Sequence, residues 1–155
     1  MSYSVPEIED AEVIFNMGYN AATSHPLVAR RIVRAKKKGA KIICVDPRKT
    51  ETGRIADIFL PIKGGTNMLF LCAMAHVIVT EDLVDHEFID AHTVGFDEYA
   101  REIADPKYAP EAIAEQTHLD AEEIRKAARL FASSKHTMTL WGMGVTQFSQ
   151  GVECV

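Results

Sequence analysis

Four stretches of the sequence place glycine or an Asp-Pro turn, with polar side chains, directly after an apolar run: Gly18-Tyr19-Asn20, Asp46-Pro47-Arg48, Gly64-Gly65-Thr66-Asn67 and Gly142-Met143-Gly144. In open α/β sheets, ligands bind beyond the carboxyl ends of the strands, where loops and helix N-termini converge. Gly18 permits close backbone approach, Asn20 offers an amide, and Ser24 lies beside a helix start whose first N–H groups have no intrahelical partner, a place suited to a diphosphate. Helix capping without a ligand accounts for the same residues, because the G-x-G-x-x-G spacing is not there. Asp46 ends a strand where an acid accepts hydrogen bonds from ribose hydroxyls or a base N–H edge, and Arg48 carries paired donors for a phosphate. A plain Asp-Pro turn with a surface arginine is the alternative. Gly65 allows left-handed backbone, and Asn67 either faces a ligand or caps its helix. Met143 stands between two glycines and Gln147 offers a two-sided amide.

No catalytic residue and no metal ligand are assigned. A nucleophile elbow and a P-loop lysine pattern are both missing, and the six histidines form no H-E-x-x-H. His86 and His92, among Asp85, Glu87 and Asp90, read as a solvated charged face. Cys44, Cys72 and Cys154 are odd in number and form no C-x-x-C, so they read as buried or incidental thiols.

The elements that position these residues follow from periodicity. Apolar runs at 11–17, 41–45, 56–62 and 137–141 predict strands, the second buried on both faces. Leu27, Val28, Ile32 and Ala35 recur at helical spacing, predicting a helix from about His25 to Gly39, capped by Thr23 or Ser24 with Pro26 in its first turn. A helix capped by Thr66 or Asn67 follows the third strand. Further helices are predicted at 85–91, 96–103 and 120–132, the last with Thr117 or Asp120 as cap. Gly142 to Gln147 reads as a glycine-rich loop. Strand, helix, strand in succession implies right-handed βαβ topology, and so a Rossmann-like three-layer α/β domain with a mostly parallel sheet and helices on both faces, residues 1–155 forming one domain.

A net charge of -5 gives no basis for attraction to nucleic-acid phosphates. The sequence has no apolar run long enough for a membrane span, and its first residues lack signal-peptide character, so a cytoplasmic location is expected. The last strand lacks the covering helix that would normally follow, which suggests a piece of a longer polypeptide.

Read together, GYNAATSHP, CVDPRKTETGRIAD, KGGTN and WGMGVTQ resemble the central domain of the molybdopterin guanine dinucleotide enzymes of the DMSO reductase type, most of all formate dehydrogenase catalytic subunits, from about Val5 onward. The resemblance implies that Asn20 and Ser24 help hold the cofactor phosphates, beside the close approach that Gly18 permits, and that Asp46 and Arg48 lie at a guanosine portion. It also implies that Gly65 and Asn67 line the groove and that Met143 and Gln147 approach from the last loop. Family members often carry an acid before the serine matching Ser24, where this sequence has Thr23.

By the same resemblance the intact subunit holds molybdenum or tungsten on molybdopterin guanine dinucleotide and a 4Fe-4S cluster, oxidises formate to carbon dioxide, and passes electrons to a partner subunit. The cluster's four-cysteine motif, the metal's cysteine or selenocysteine ligand and the histidine and arginine near the metal have no counterpart in these residues. This stretch alone is therefore expected to be inactive, and to depend on the remaining domains of the catalytic subunit. A related nitrate or other oxyanion reductase and a stand-alone guanine-nucleotide-binding module are the alternatives. A nicotinamide dehydrogenase is disfavoured by the missing glycine fingerprint.

Overall fold

The computed structural model describes residues 4–155. A 3-10 turn (Val5–Asp10) leads into β1 (Val13–Met17), α1 (Ala21–Ser24), α2 (Pro26–Lys37), β2 (Lys41–Val45), α3 (Glu51–Ile55) and β3 (Ile58–Leu60). Then come α4 (Asn67–Thr80), α5 (His86–His92), α6 (Phe96–Ile103), a second 3-10 turn (Pro106–Tyr108), α7 (Pro110–Thr117), α8 (Ala121–Ala132), β4 (Thr137–Trp141) and α9 (Met143–Thr146).

The strands form one sheet in the order β3-β2-β1-β4, and every pair is parallel. Val13 lies opposite Lys41 on one side and Thr137 on the other, and Met17 opposite Val45 and Trp141. The chain steps outward from β1 to β3, then returns across the sheet to place β4 on the free side of β1. Right-handed crossovers put the connecting helices on opposite faces before and after such a reversal. Two cores result. Ile14 and Ile42 meet Ile8, Ala21, Ile32 and Ala35 on one face, while Val13, Phe15, Ile43 and Val45 meet Phe70, Ala73, Val77, Ile113, Ile124 and Ala128 on the other. The fold is therefore the three-layer α/β arrangement read from the sequence. Burial on both faces is why β1 and β2 are apolar along nearly their whole length.

α2 is amphipathic because only one side meets the sheet, whereas α4 is apolar almost all round because the sheet, α6, α7 and α8 enclose it. Phe70 is fully buried there and stacks on Phe15 with ring centroids 6.5 Å apart. Burying one such ring contributes about 1.5–3 kcal/mol.

Several local expectations are corrected. The helix expected from His25 is two helices: Ala21–Ser24 forms a short turn, and α2 begins at Pro26 with His25 at its N-cap position and no side-chain cap bond. Neither Thr23 nor Ser24 caps α2, because both already lie in α1 and direct their N–H groups to Asn20 O. The third strand shrinks from 56–62 to three residues: Ala56 is the C-cap of α3, Asp57 meets Ile42 through both its N–H and its carboxylate, and beyond Leu60 Pro61 has no N–H to give while the Ile62 N–H turns back to Leu60 O at 2.9 Å. The α3 helix, unanticipated, is capped by Thr50, whose Oγ1 accepts the Gly53 N–H. Thr117 is no cap for α8. It is buried at the end of α7, donating back to Ile113 O, and Asp120 caps α8 through the Glu122 and Glu123 N–H groups. Residues Met143–Thr146 form one helical turn in place of the expected open loop.

No helix among the described residues is long and apolar enough to cross a membrane. No group of three or more His, Cys, Asp or Glu among them is arranged to hold a metal ion.

Candidate functional site: a nucleotide rim at the strand reversal

Because all four strands run the same way, the four predicted junctions leave the sheet on one edge. The reversal lies between β1 and β4, where a crevice normally opens for a ligand. Here three glycines let the two loops meet backbone to backbone. The Gly144 N–H donates to Gly18 O at 3.1 Å, and the Gly18 N–H donates to Val45 O at 2.9 Å. A Cβ on Gly144 would lie 2.7 Å from Gly18 Cα, and one on Gly142 would lie 2.9 Å from Gly18 O. Gly18 also has φ +55, a region that costs other residues strain. The close approach that Gly18 permits is thus to its neighbouring loop.

Asn67 joins the same assembly. It is the first residue of α4, 7% exposed, and its Nδ2 donates to Gly144 O at 2.8 Å across 77 residues of sequence. Gly65 has φ +86, and a Cβ added there would lie 3.9 Å from the Phe148 ring beyond α9. Asn67 therefore fastens the last loop to the third junction. Met143 is 65% exposed on the outer side of that loop, and Gln147 is exposed at the end of α9.

At the first junction, the N–H groups of Tyr19 and Asn20 and of the first helical turn, Ala21 and Ala22, make no hydrogen bond with the described residues. Asn20 Nδ2 donates to Thr23 Oγ1 at 3.0 Å, while its Oδ1 is buried without a partner. Ser24 is exposed at the end of α1, one turn from these donors. At the second junction Asp46 Oδ1 accepts the Arg48 N–H at 2.8 Å, a local turn that leaves the other carboxylate oxygen free. Arg48 is exposed, and its guanidinium pairs with no carboxylate among the described residues.

Sequence reasoning missed two contributors. Asn16 sits inside the apolar run of β1, fully buried, with Nδ2 donating to Tyr19 O at 3.0 Å and Oδ1 without a partner. It shapes the Tyr19–Asn20 turn from below. An amide in an otherwise apolar strand two residues before a glycine was the available signal. Lys63 is exposed at the third junction and its ammonium is unpaired among the described residues, which adds a second free cation. Burial pushes the neighbouring Cys44 thiol up to about 11, so it stays protonated and structural.

The rim thus offers backbone N–H donors, two free cations and one carboxylate oxygen to a ligand that is anionic at one end and rich in N–H or O–H donors at the other. A nucleoside diphosphate has that chemistry.

The family model for molybdopterin oxidoreductases matches residues 1–155. This chain belongs to the molybdopterin oxidoreductase family. It is 50% identical over its whole length to formate dehydrogenase H of Escherichia coli, covering 21% of that protein. It is 44% identical, again over its whole length, to the F420-dependent formate dehydrogenase 1 alpha subunit of Methanococcus maripaludis, covering 23% of it. A nitrate reductase of Symbiobacterium thermophilum is 40% identical over 96% of the chain. The solved structure of acetylene hydratase from Pelobacter acetylenicus superimposes with a TM-score of 0.81 at 32% identity, over 91% of this chain and 21% of that one. The chain thus spans about a fifth of the length of these curated relatives. The family implies a molybdopterin cofactor carrying molybdenum or tungsten. The unpartnered Asn20 Oδ1 and the free N–H groups beside it suit the polar tail of such a group.

Proposed function

We propose that this chain is the part of a formate-oxidising, cytoplasmic molybdopterin enzyme that holds the guanosine diphosphate end of a molybdopterin guanine dinucleotide. One observation carries the reading. The free N–H groups of residues 19–22, Arg48 and Lys63 share a rim with the free oxygen of Asp46. In this reading the donors of residues 19–22, with Asn20 and Ser24, hold the diphosphate. Arg48 adds paired N–H bonds, and Asp46 accepts from the guanosine. Gly65, Asn67, Met143 and Gln147 close the groove from the third and fourth junctions. The cofactor, when bound, supplies the redox chemistry at its metal, and this chain's residues fix its far end so that the metal is correctly placed. The rest of the subunit supplies the metal's ligands and the iron–sulfur cluster, an electron-transfer subunit takes the electrons, and the chain alone is inactive.

Formate as substrate is supported by the two formate dehydrogenases at 50% and 44% identity. The nitrate reductase at 40% favours an oxyanion reductase as the second reading. The test is to purify the intact subunit from its source, hydrolyse it in acid, and identify the nucleotide released. GMP in stoichiometric amount is the expected result. An adenine or cytosine nucleotide, or none, would contradict the guanosine assignment, and formate-dependent against nitrate-dependent dye turnover separates the two substrates.

A further inference from the structure

Between Lys63 and Arg101 the sequence contains no lysine or arginine. The middle of that stretch, α5 and the start of α6, projects from the foot of α4. The 14 residues of α4 separate it from the nucleotide rim by about 20 Å at helical rise. No residue from Glu81 to Glu102 is buried, and α5 buries none of its seven residues. A helix so short has little stability of its own and is normally fastened by an apolar face. Here the large apolar side chains point to water: Phe88 is 57% exposed, Val94 99% and Tyr99 50%. Around them Asp85, Glu87, Asp90, Asp97 and Glu98 form no ion pair among the described residues. The acids that flank this knob are paired, Glu81 with Arg129 and Glu102 with Lys107.

We infer that this knob is a docking surface for a second protein, one that sets lysine or arginine around an apolar socket. Charge complementarity selects that occupant. An uncovered apolar centre inside a ring of like charge matches the core-and-rim plan of an interface, and the unpaired carboxylates steer a cationic surface toward it. Two knobs facing each other would set like charges together, which disfavours a symmetric pairing with a second copy. On α2, the other strongly charged face, Arg31 and Arg34 are already engaged by Glu9 and Lys36 by Asp57, which leaves that face without the unbroken run of free like charge seen on the knob. Phe88 packs on His92 with ring centroids 4.7 Å apart, so part of the apolar centre is ordered before contact.

The test uses the intact subunit in its native complexes with Val94→p-benzoylphenylalanine, irradiated and analysed by peptide sequencing. The expected cross-link joins a different polypeptide at a segment where lysine or arginine flanks apolar residues. Its yield should fall about tenfold or more when Asp85, Glu87 and Asp90 are changed to Lys, and similarly with Asp97→Lys and Glu98→Lys as a second variant. It should also weaken in high salt, which requires no variant to fold. A cross-link to another segment of the same polypeptide or to a second copy, a yield indifferent to charge reversal and salt, or no cross-link, would overturn the inference.

Discussion

Gly144 and Asn67 show how single residues set the rim. A methyl group on Gly144 would meet backbone, not a yielding side chain, so the β1 and β4 loops must separate. Gly144→Ala is expected to lower stability by about 1–3 kcal/mol, read as the midpoint of urea unfolding. Gly64→Ala is the control: its Cβ meets nothing within 4 Å, and the change should stay within about 0.5 kcal/mol. Asn67→Ala leaves Gly144 O without its donor and should cost about 1–2 kcal/mol, with faster proteolysis around α9 as the local sign. The four junctions themselves were legible because glycine and polar types stand out after apolar runs, although Lys63 at the third was passed over as an ordinary loop lysine. What those glycines approach was not. Gly18 and Gly144 are 126 residues apart, and their contact depends on the strand order. Asn16 was hidden because an apolar run masks one buried amide.

At the level of elements, α2 is bound to the 3-10 turn by Glu9, whose carboxylate pairs with Arg31, Arg34 and Lys38. The Arg31 hydrogen bond, foremost, holds Glu9 down to about 2 from an ordinary 4.5. A carboxyl depressed on folding stabilises the fold above its unfolded pKa, and that contribution is lost as pH falls through the folded one. Stability should therefore drop between pH 4.5 and about 2, and Glu9→Gln should flatten part of that slope in acid-unfolding titrations followed by circular dichroism. Glu111, held at about 2 chiefly by Arg125, contributes in the same window and keeps the remainder. Long periodic elements such as α2, α4 and α8 were readable in the sequence because one-sided or complete burial leaves a pattern. The short ones were not. β3 is cut short by Pro61 and the Ile62 turn back to Leu60, α3 depends on one Thr50 cap, and α1 and α9 are single turns whose existence follows from the loops they bridge.

For the whole molecule, the reversal of strand order beside β1 converts four separate loops into one rim. Parallel strands and the three-layer fold could be inferred from the βαβ succession. The placement of β4 beside β1 could not, because a long helical excursion from α4 to α8 separates β3 from β4. In the proposed function this rim grips a guanosine diphosphate through Asp46 and the donors around it. The most direct test of that grip is the GMP released per intact subunit from Asp46→Ala and Arg48→Ala, each against Glu98→Ala, which lies on the distant acidic knob. GMP content should fall about tenfold or more in the two rim variants after gel filtration, and stay at the wild-type level in the third. Equal GMP content in all three, with folding intact, would contradict it.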